Sequence, residues 1–298
     1  MASAMTRPRQ ILPGTTYLLT RRCLQRQFLL RPSAVTNAIF QYLLAVAAQR
    51  HGIRIHAYCV LSNHFHLVVT DPRGRLPAFK QLLDGLVARA VNAALGRWET
   101  FWAPASYSAV TLATPQDVLE KAAYVLANPV AAGLVRRARE WPGLWSDPAR
   151  LGRGAVTVER PAGFFRKTGT MPKTAELTLE PPPGFDSAQA FAAQLEEAVA
   201  AAEQRHAASG RTFLGAVKAR TQSPWSRPRN REARRGLQPR VAARDRWGRV
   251  EALGRLAGFL AEYRDAWRAW ANGARDVLFP AGTYAMRVFH GARCSVLA

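Results

Sequence analysis

The 298-residue sequence predicts an α+β domain over residues 1–150, followed by a basic and mainly helical C-terminal region. Three observations lead there. Strand-like and helix-like patterns alternate through the first half, the stiff polyproline stretch LEPPPGF interrupts the chain at residues 179–185, and basic residues crowd the region beyond. The main boundary is expected in a linker over residues 151–185, leaving 186–298 as the C-terminal region.

TTYLLTRR (15–22) has the β-branched and aromatic content of a strand. SAVTNAIFQYLLAVAAQRHG (33–52) reads as a helix with Ser33 as its cap and Gly52 as its stop. IRIHAYCVL (53–61) and HFHLVVT (64–70) are two further strands, joined through the short Ser62-Asn63 turn. LPAFKQLLDGLVARAVNAAL (76–95) predicts a second helix and SYSAVTLA (106–113) a fourth strand. The resulting order β-α-β-β-α-β is the ferredoxin-like arrangement, which packs two helices on one face of an antiparallel sheet and leaves the other open to a ligand.

A third helix follows in TPQDVLEKAAYVLANPVAAGLV, opened by Thr114 as cap and Pro115 at its first position. Wound at about 100° per residue, it sorts Val118, Leu119, Ala122, Val125 and Leu126 to one side and Asp117, Glu120, Lys121, Tyr124 and Asn128 to the other. Beyond residue 185, DSAQAFAAQLEEAVAAAEQRHAAS reads as an exposed helix. Residues 211–255 carry 13 basic residues against Glu232, Asp245 and Glu251, and read as an extended basic arm. Trp247, Val250, Leu253, Leu256, Leu260, Tyr263, Trp267 and Trp270 then form one apolar stripe suited to a core or an interface, and VLFPAGTYAMRVFHG predicts a terminal strand.

Charge narrows the function. Lys plus Arg number 42 against 20 Asp plus Glu, a net +22, so a polyanion is the expected partner. Arg predominates, and its planar fork suits phosphate oxygens and guanine edges. A hydrophobic content of 48% excludes wholesale disorder. No apolar run approaches the roughly 20 residues of a membrane span, and the start MASAMTRPRQ lacks a signal-peptide core, so a cytoplasmic, nucleoid-associated protein without a membrane partner is expected. Cys23, Cys59 and Cys294 are far apart and form no C-x-x-C, which points away from a disulfide framework or a structural zinc site.

The stretch LSNHFHLVVT supplies the candidate chemistry. Alternate strand residues share a face, so His64 and His66 are aimed at one point while Phe65 and Leu67 take the other side. Two converging imidazoles can both ligate a divalent metal, although the spacing alone more often marks nothing beyond two histidines on a half-exposed strand. Tyr124 lies in the middle of its helix's polar face, and Asn128 is one turn further along that face.

Taken together, NHFHLVV, the β-α-β-β-α-β frame and AAYVLANPVAAGLV resemble the single-tyrosine HUH transposases, most closely their REP-associated tyrosine transposase branch, over roughly residues 8–145. His64-Phe65-His66 satisfies the family's His-hydrophobe-His motif. The resemblance implies an HUH domain acting on single-stranded or hairpin DNA. By it, His64, His66 and Asn128 are the ligands of Mg²⁺ or Mn²⁺, and Tyr124 is the nucleophile that forms a 5′-phosphotyrosine bond. It also leaves open a homodimer, with the tyrosine helix supplied in cis or in trans. The chain departs from the pattern in places. Pro129 disfavours helical geometry at Asn128, whose amide is shorter than the one often found there. YLLTRRCLQR lacks the usual glycine after the first strand, while its Arg21, Arg22 and Arg26 stand as DNA-phosphate contacts. No second tyrosine follows at helical spacing, which argues against a two-tyrosine initiator. The alternative function is a catalytically silent DNA-binding regulator derived from such an enzyme.

Overall fold

A computed structural model of the chain describes residues 8–104, 106–166, 168–229 and 239–296. The N-terminal half runs β1 (Thr15–Arg22), α1 (Ala34–His51), β2 (Arg54–Leu61), β3 (His64–Asp71), α2 (Leu76–Ala94), β4 (Ser108–Leu112) and α3 (Pro115–Ala131). Local signals set these elements. The Thr36 N–H donates to Ser33 Oγ at 3.0 Å, and α1 ends on Gly52 at φ 67°, the left-handed geometry that favours glycine. α3 opens with a capping box in which Thr114 and Asp117 satisfy each other's backbone N–H groups.

The chain continues through β5 (Val156–Glu159), β6 (Thr174–Leu177), α4 (Ala188–Ala208), α5 (Ala216–Thr221), β7 (Val241–Ala242), α6 (Arg246–Ala271), β8 (Leu278–Phe279), α7 (Tyr284–His290) and β9 (Arg293–Cys294). A five-stranded mixed sheet of order β2-β3-β1-β4-β7 forms the centre. Its first four strands are antiparallel, and β7 joins the β4 edge in parallel. One face packs on α1 and α2, where Phe65 meets Phe40 with ring centroids 5.1 Å apart. α3 packs on β2 and β3 from the other side, so this second face is covered in part rather than left open as expected. Burial from both sides explains why seven of the eight β2 residues are buried. Among the described residues no helix is long and apolar enough to cross a membrane.

Four expectations are corrected. The stretch 151–185, expected to be a linker, contains packed elements: β5 and β6 form a hairpin against α1, Leu179 pairs with Ile55, and the Glu180 N–H donates to Ile55 O at 3.0 Å. The outer edge of β2 needs such partners for its backbone groups, and residues 144–146 supply more, with the Val60 N–H on Leu144 O at 2.8 Å. Gly184, at φ 88°, lies against Pro115 where a Cβ would come within 2.5 Å of the proline ring, so the PPPG turn is docked on the start of α3.

The expected basic arm at 211–255 contains α5, β7 and the first turns of α6, with residues 230–238 outside the described residues. The apolar stripe of α6 divides: Trp247, Val250 and Leu253 are exposed, while Tyr263, Trp267 and Trp270 pack with buried Phe279 and Met286. The expected terminal strand is mainly α7, closed by Gly291 at φ 64°, a helix stop that the alternating pattern concealed.

Candidate active site

β3 directs His64 and His66 to the face that carries α3, their rings 4.8 Å apart and nearly perpendicular. Opposite them on β1, Arg22 pairs with His64 and Thr20 with His66, so all four side chains share this face. Thr20 Oγ1 lies 2.8 Å from His66 Nδ1, and Asn63 Oδ1 lies 2.6 Å from His64 Nδ1. The Asn63 amide is oriented from behind, because its Nδ2 donates to Arg26 O at 3.3 Å. Its oxygen therefore accepts the His64 Nδ1–H, and the Nε2 lone pair is left for a ligand.

α3 completes the cluster from the same chain. The Tyr124 ring stands 5.5 Å from the His66 ring, and the side chain is 47% exposed. Asn128 is buried, its amide nitrogen 3.4 Å from His66 Nε2. Despite Pro129, Asn128 keeps its helical position: the Ala132 N–H donates to Asn128 O at 2.8 Å, and Trp145 Nε1 donates to Leu126 O at 3.0 Å beside the proline. Asp117 departs from the exposed position expected of it. It is buried because it closes the capping box and accepts the Arg244 N–H at 2.7 Å.

Electrostatics prepare the histidines as neutral donors. Burial pushes His64 down to about 4, with the cations Arg22 and Arg26 adding to the effect. Burial also carries His66 well below the ordinary histidine range, assisted by His64. Neutral imidazole is the ligating form. With the Asn128 amide turned so that its oxygen replaces the nitrogen that faces His66 Nε2, two imidazole nitrogens and an amide oxygen fit a divalent cation whose remaining positions are taken by phosphate or water, and imidazole suits Mn²⁺ better than hard Mg²⁺. Among the described residues no group of three His, Cys, Asp or Glu could hold an ion, so any metal site here depends on this histidine-amide set.

The three arginines separate. Arg21 points to the other face, where its Nε lies 3.8 Å from Asp84 Oδ2 and its guanidinium 5.9 Å from the Trp102 ring. Asp84 also holds Lys80 at 2.9 Å, and Lys80 in turn sits over Phe65, between the two histidines but behind the strand. Arg21 is thus part of the packing on α2, because strand alternation turns it away from its neighbour Arg22. Arg26 lies in the loop after β1, at φ 61°, next to Gln25 at φ 50°. These are the two non-glycine residues with positive φ among the described residues, at the place where the sequence lacks the glycine. Sequence reasoning missed Thr20, Asn63 and Trp145. Asn63 adjoins the first histidine, which was the available signal, whereas Thr20 emerges only from the register of β1 on β3.

No family model matches the chain, and no curated protein matches its sequence. Among solved structures it is similar to a REP-associated tyrosine transposase bound to a REP hairpin, at 19% identity over 48% of this chain and 81% of that one, with a TM-score of 0.39. It is also similar to a protein from Deinococcus radiodurans R1 described as a putative transposase, at 22% identity over 36% of this chain and 85% of that one, with a TM-score of 0.29.

Proposed function

We propose that the chain is a metal-dependent single-stranded DNA endonuclease and strand transferase, transposase-like, working through a 5′-phosphotyrosine intermediate on hairpin or palindromic DNA. One observation carries the reading: a half-exposed tyrosine, a buried amide and two neutral histidines, from two elements far apart in sequence, meet around the His66 ring. The element order β-α-β-β-α-β with an antiparallel β2-β3-β1-β4 core sheet is compatible with this reading.

His64, His66 and Asn128 would hold Mg²⁺ or Mn²⁺, which when bound withdraws charge from the phosphoryl oxygens. Arg22 and Arg26 add positive potential on the His64 side. A phenol is a poor nucleophile at neutral pH, so orientation and local charge carry much of the rate. Tyr124 Oη attacks phosphorus and its proton leaves to the solvent that reaches the half-exposed ring. The bond from phosphorus to the 3′-oxygen breaks, and that oxygen departs as a hydroxyl after taking a proton from water. The ester keeps the 5′-phosphate on Tyr124. Attack by a 3′-hydroxyl then reseals a strand and frees the phenol without ATP.

The test is a single-stranded hairpin substrate labelled at its 3′ end, on the fragment whose 5′-phosphate would stay on the tyrosine, incubated with the full chain and Mn²⁺ and resolved in denaturing detergent. Wild type should give a covalent adduct and Tyr124→Phe none. An adduct from the Phe variant would place the nucleophile elsewhere.

A further inference from the structure

No acidic residue occurs from Gln204 to Arg231. Part of this acid-free stretch bridges the two sides of the candidate site. The Leu214 and Gly215 N–H groups donate to Gly133 O and Leu134 O at 2.9 and 2.8 Å, just beyond α3, and the Arg211 guanidinium donates to Ala131 O. α5 then roots the segment through buried Ala219. At its far end the Phe28 N–H donates to Ser226 O at 2.9 Å, and Arg31 Nη1 donates to Gln222 O at 3.1 Å. The strap thus runs from the exit of the helix bearing Tyr124 and Asn128 to the loop bearing Arg26, whose carbonyl orients Asn63 and through it His64.

The strap presents one side chain outward by construction. Residues 223–226 form a turn closed by the Ser226 N–H on Ser223 O at 3.0 Å, with Pro224 fixing the second position and the Trp225 N–H on Ser223 Oγ at 3.3 Å. Both flanking carbonyls, Gln222 O and Ser226 O, are tied to the first half of the chain. The turn is therefore held at both ends, and Trp225 at its tip is 52% exposed. An indole has strong reasons to be covered, and one displayed on an anchored turn among exposed Lys218, Arg220, Arg227 and Arg229 has the chemistry of a stacking platform within a phosphate-binding track.

We propose that Trp225 stacks a base of the single-stranded DNA that flanks the scissile position, while Lys218, Arg220, Arg227 and Arg229 hold the neighbouring phosphates. The choice of single-stranded DNA rests on the function proposed above. A duplex hides its base faces in its own stack and cannot use the indole in this way.

The experiment measures equilibrium binding of a fluorescent hairpin with a single-stranded flank to full-length Tyr124→Phe protein in EDTA, so that no covalent step contributes. Trp225→Ala should weaken binding about ten-fold, and Trp225→Phe should recover most of the loss. Abasic positions in the flank should weaken the Trp225 protein by a similar factor and cost Trp225→Ala nothing further. Equal affinity of Trp225→Ala and its parent, or equal losses on abasic and normal flanks, would overturn the platform. If Trp225→Ala fails to fold, the parent's response to abasic flanks still decides: indifference overturns the proposal. Failure of the transposase reading is separable. A wild-type chain that forms no adduct but shows the coupled loss keeps the platform, whereas normal adduct with unaltered binding in Trp225→Ala removes only the platform.

Discussion

His56 allows a stability prediction to be worked from geometry. It is the bulged residue of β2, where the register to β3 shifts between Ile55 and Ala57, and it is buried. Its Nδ1 lies 2.8 Å from Glu180 O, and its Nε2 lies 2.7 Å from Thr70 Oγ1, which is itself 2.7 Å from Thr16 Oγ1. A carbonyl only accepts, so Nδ1 carries the proton and Nε2 accepts from Thr70, which accepts from Thr16. A second proton would bury a charge and oppose the Thr70 hydroxyl. Burial accordingly pushes His56 down to about 4, against an ordinary 6.5. Between those values the unfolded chain binds more protons than the folded one. The contribution of His56 is therefore fully present above pH 6.5 and is lost as pH falls toward 4. The full loss is about 3 kcal/mol, of which about 2 kcal/mol falls between pH 7.5 and pH 5. Urea unfolding at a series of pH values should show this loss, and His56→Gln should show a shallower one, with His64 and His66 still contributing in the same direction. Parallel pH dependence in the two proteins would refute the reasoning.

Other outcomes follow from the site. His64→Ala or His66→Ala should abolish Mn²⁺-dependent cleavage of a hairpin while affinity for DNA in EDTA stays near that of the parent, and cleavage undiminished by EDTA would remove the metal from the mechanism. Arg22→Gln should lower the logarithmic salt slope of DNA binding by about 0.7 to 0.9, the amount for one phosphate contact on single-stranded or duplex DNA. Arg21→Gln should leave that slope alone and instead lower the melting temperature, because it strips a partner from partly buried Asp84.

What the sequence made legible was local. The caps Ser33 and Thr114, the Gly52 stop and the alternation of HFHLVVT each specify an element within a few residues of themselves: α1, β3 and the start of α3 lie within one or two residues of their expected bounds, whereas α3 ends at Ala131, four residues short of the expected stretch. The shared face of His64 and His66 follows from strand geometry alone, and the placement of Tyr124 toward them follows from helical winding once α3 is on that face. What remained hidden depends on partners distant in sequence. β7 is two residues long and exists because the edge of β4 has backbone groups to pair, while residues 144–146 and 179–180 serve the edge of β2 in the same way. No periodicity marks such segments. The burial of Asn128 and the opposed directions of Arg21 and Arg22 likewise depend on which layer covers which face.

The same long-range contacts bear on whether Tyr124 serves its own chain. α3 is held at its exit by bonds to Gly133 and Leu134 and from the Arg211 side chain to Ala131. It is held at its entry by the Arg244 N–H on buried Asp117, beside the pairing of Val241 with Thr111. Both anchors come from the region after residue 210, so that region clasps the tyrosine helix from its two ends. Exchange of α3 alone between two copies would have to break these bonds and leave the Asp117 carboxylate short of a donor. Each broken backbone bond alone is worth only about 1 kcal/mol, but they must fail together for the helix to leave. On the proposed function, the packing therefore favours Tyr124 serving the histidines of its own chain. Any second copy would then have to bind through surfaces other than an exchanged α3.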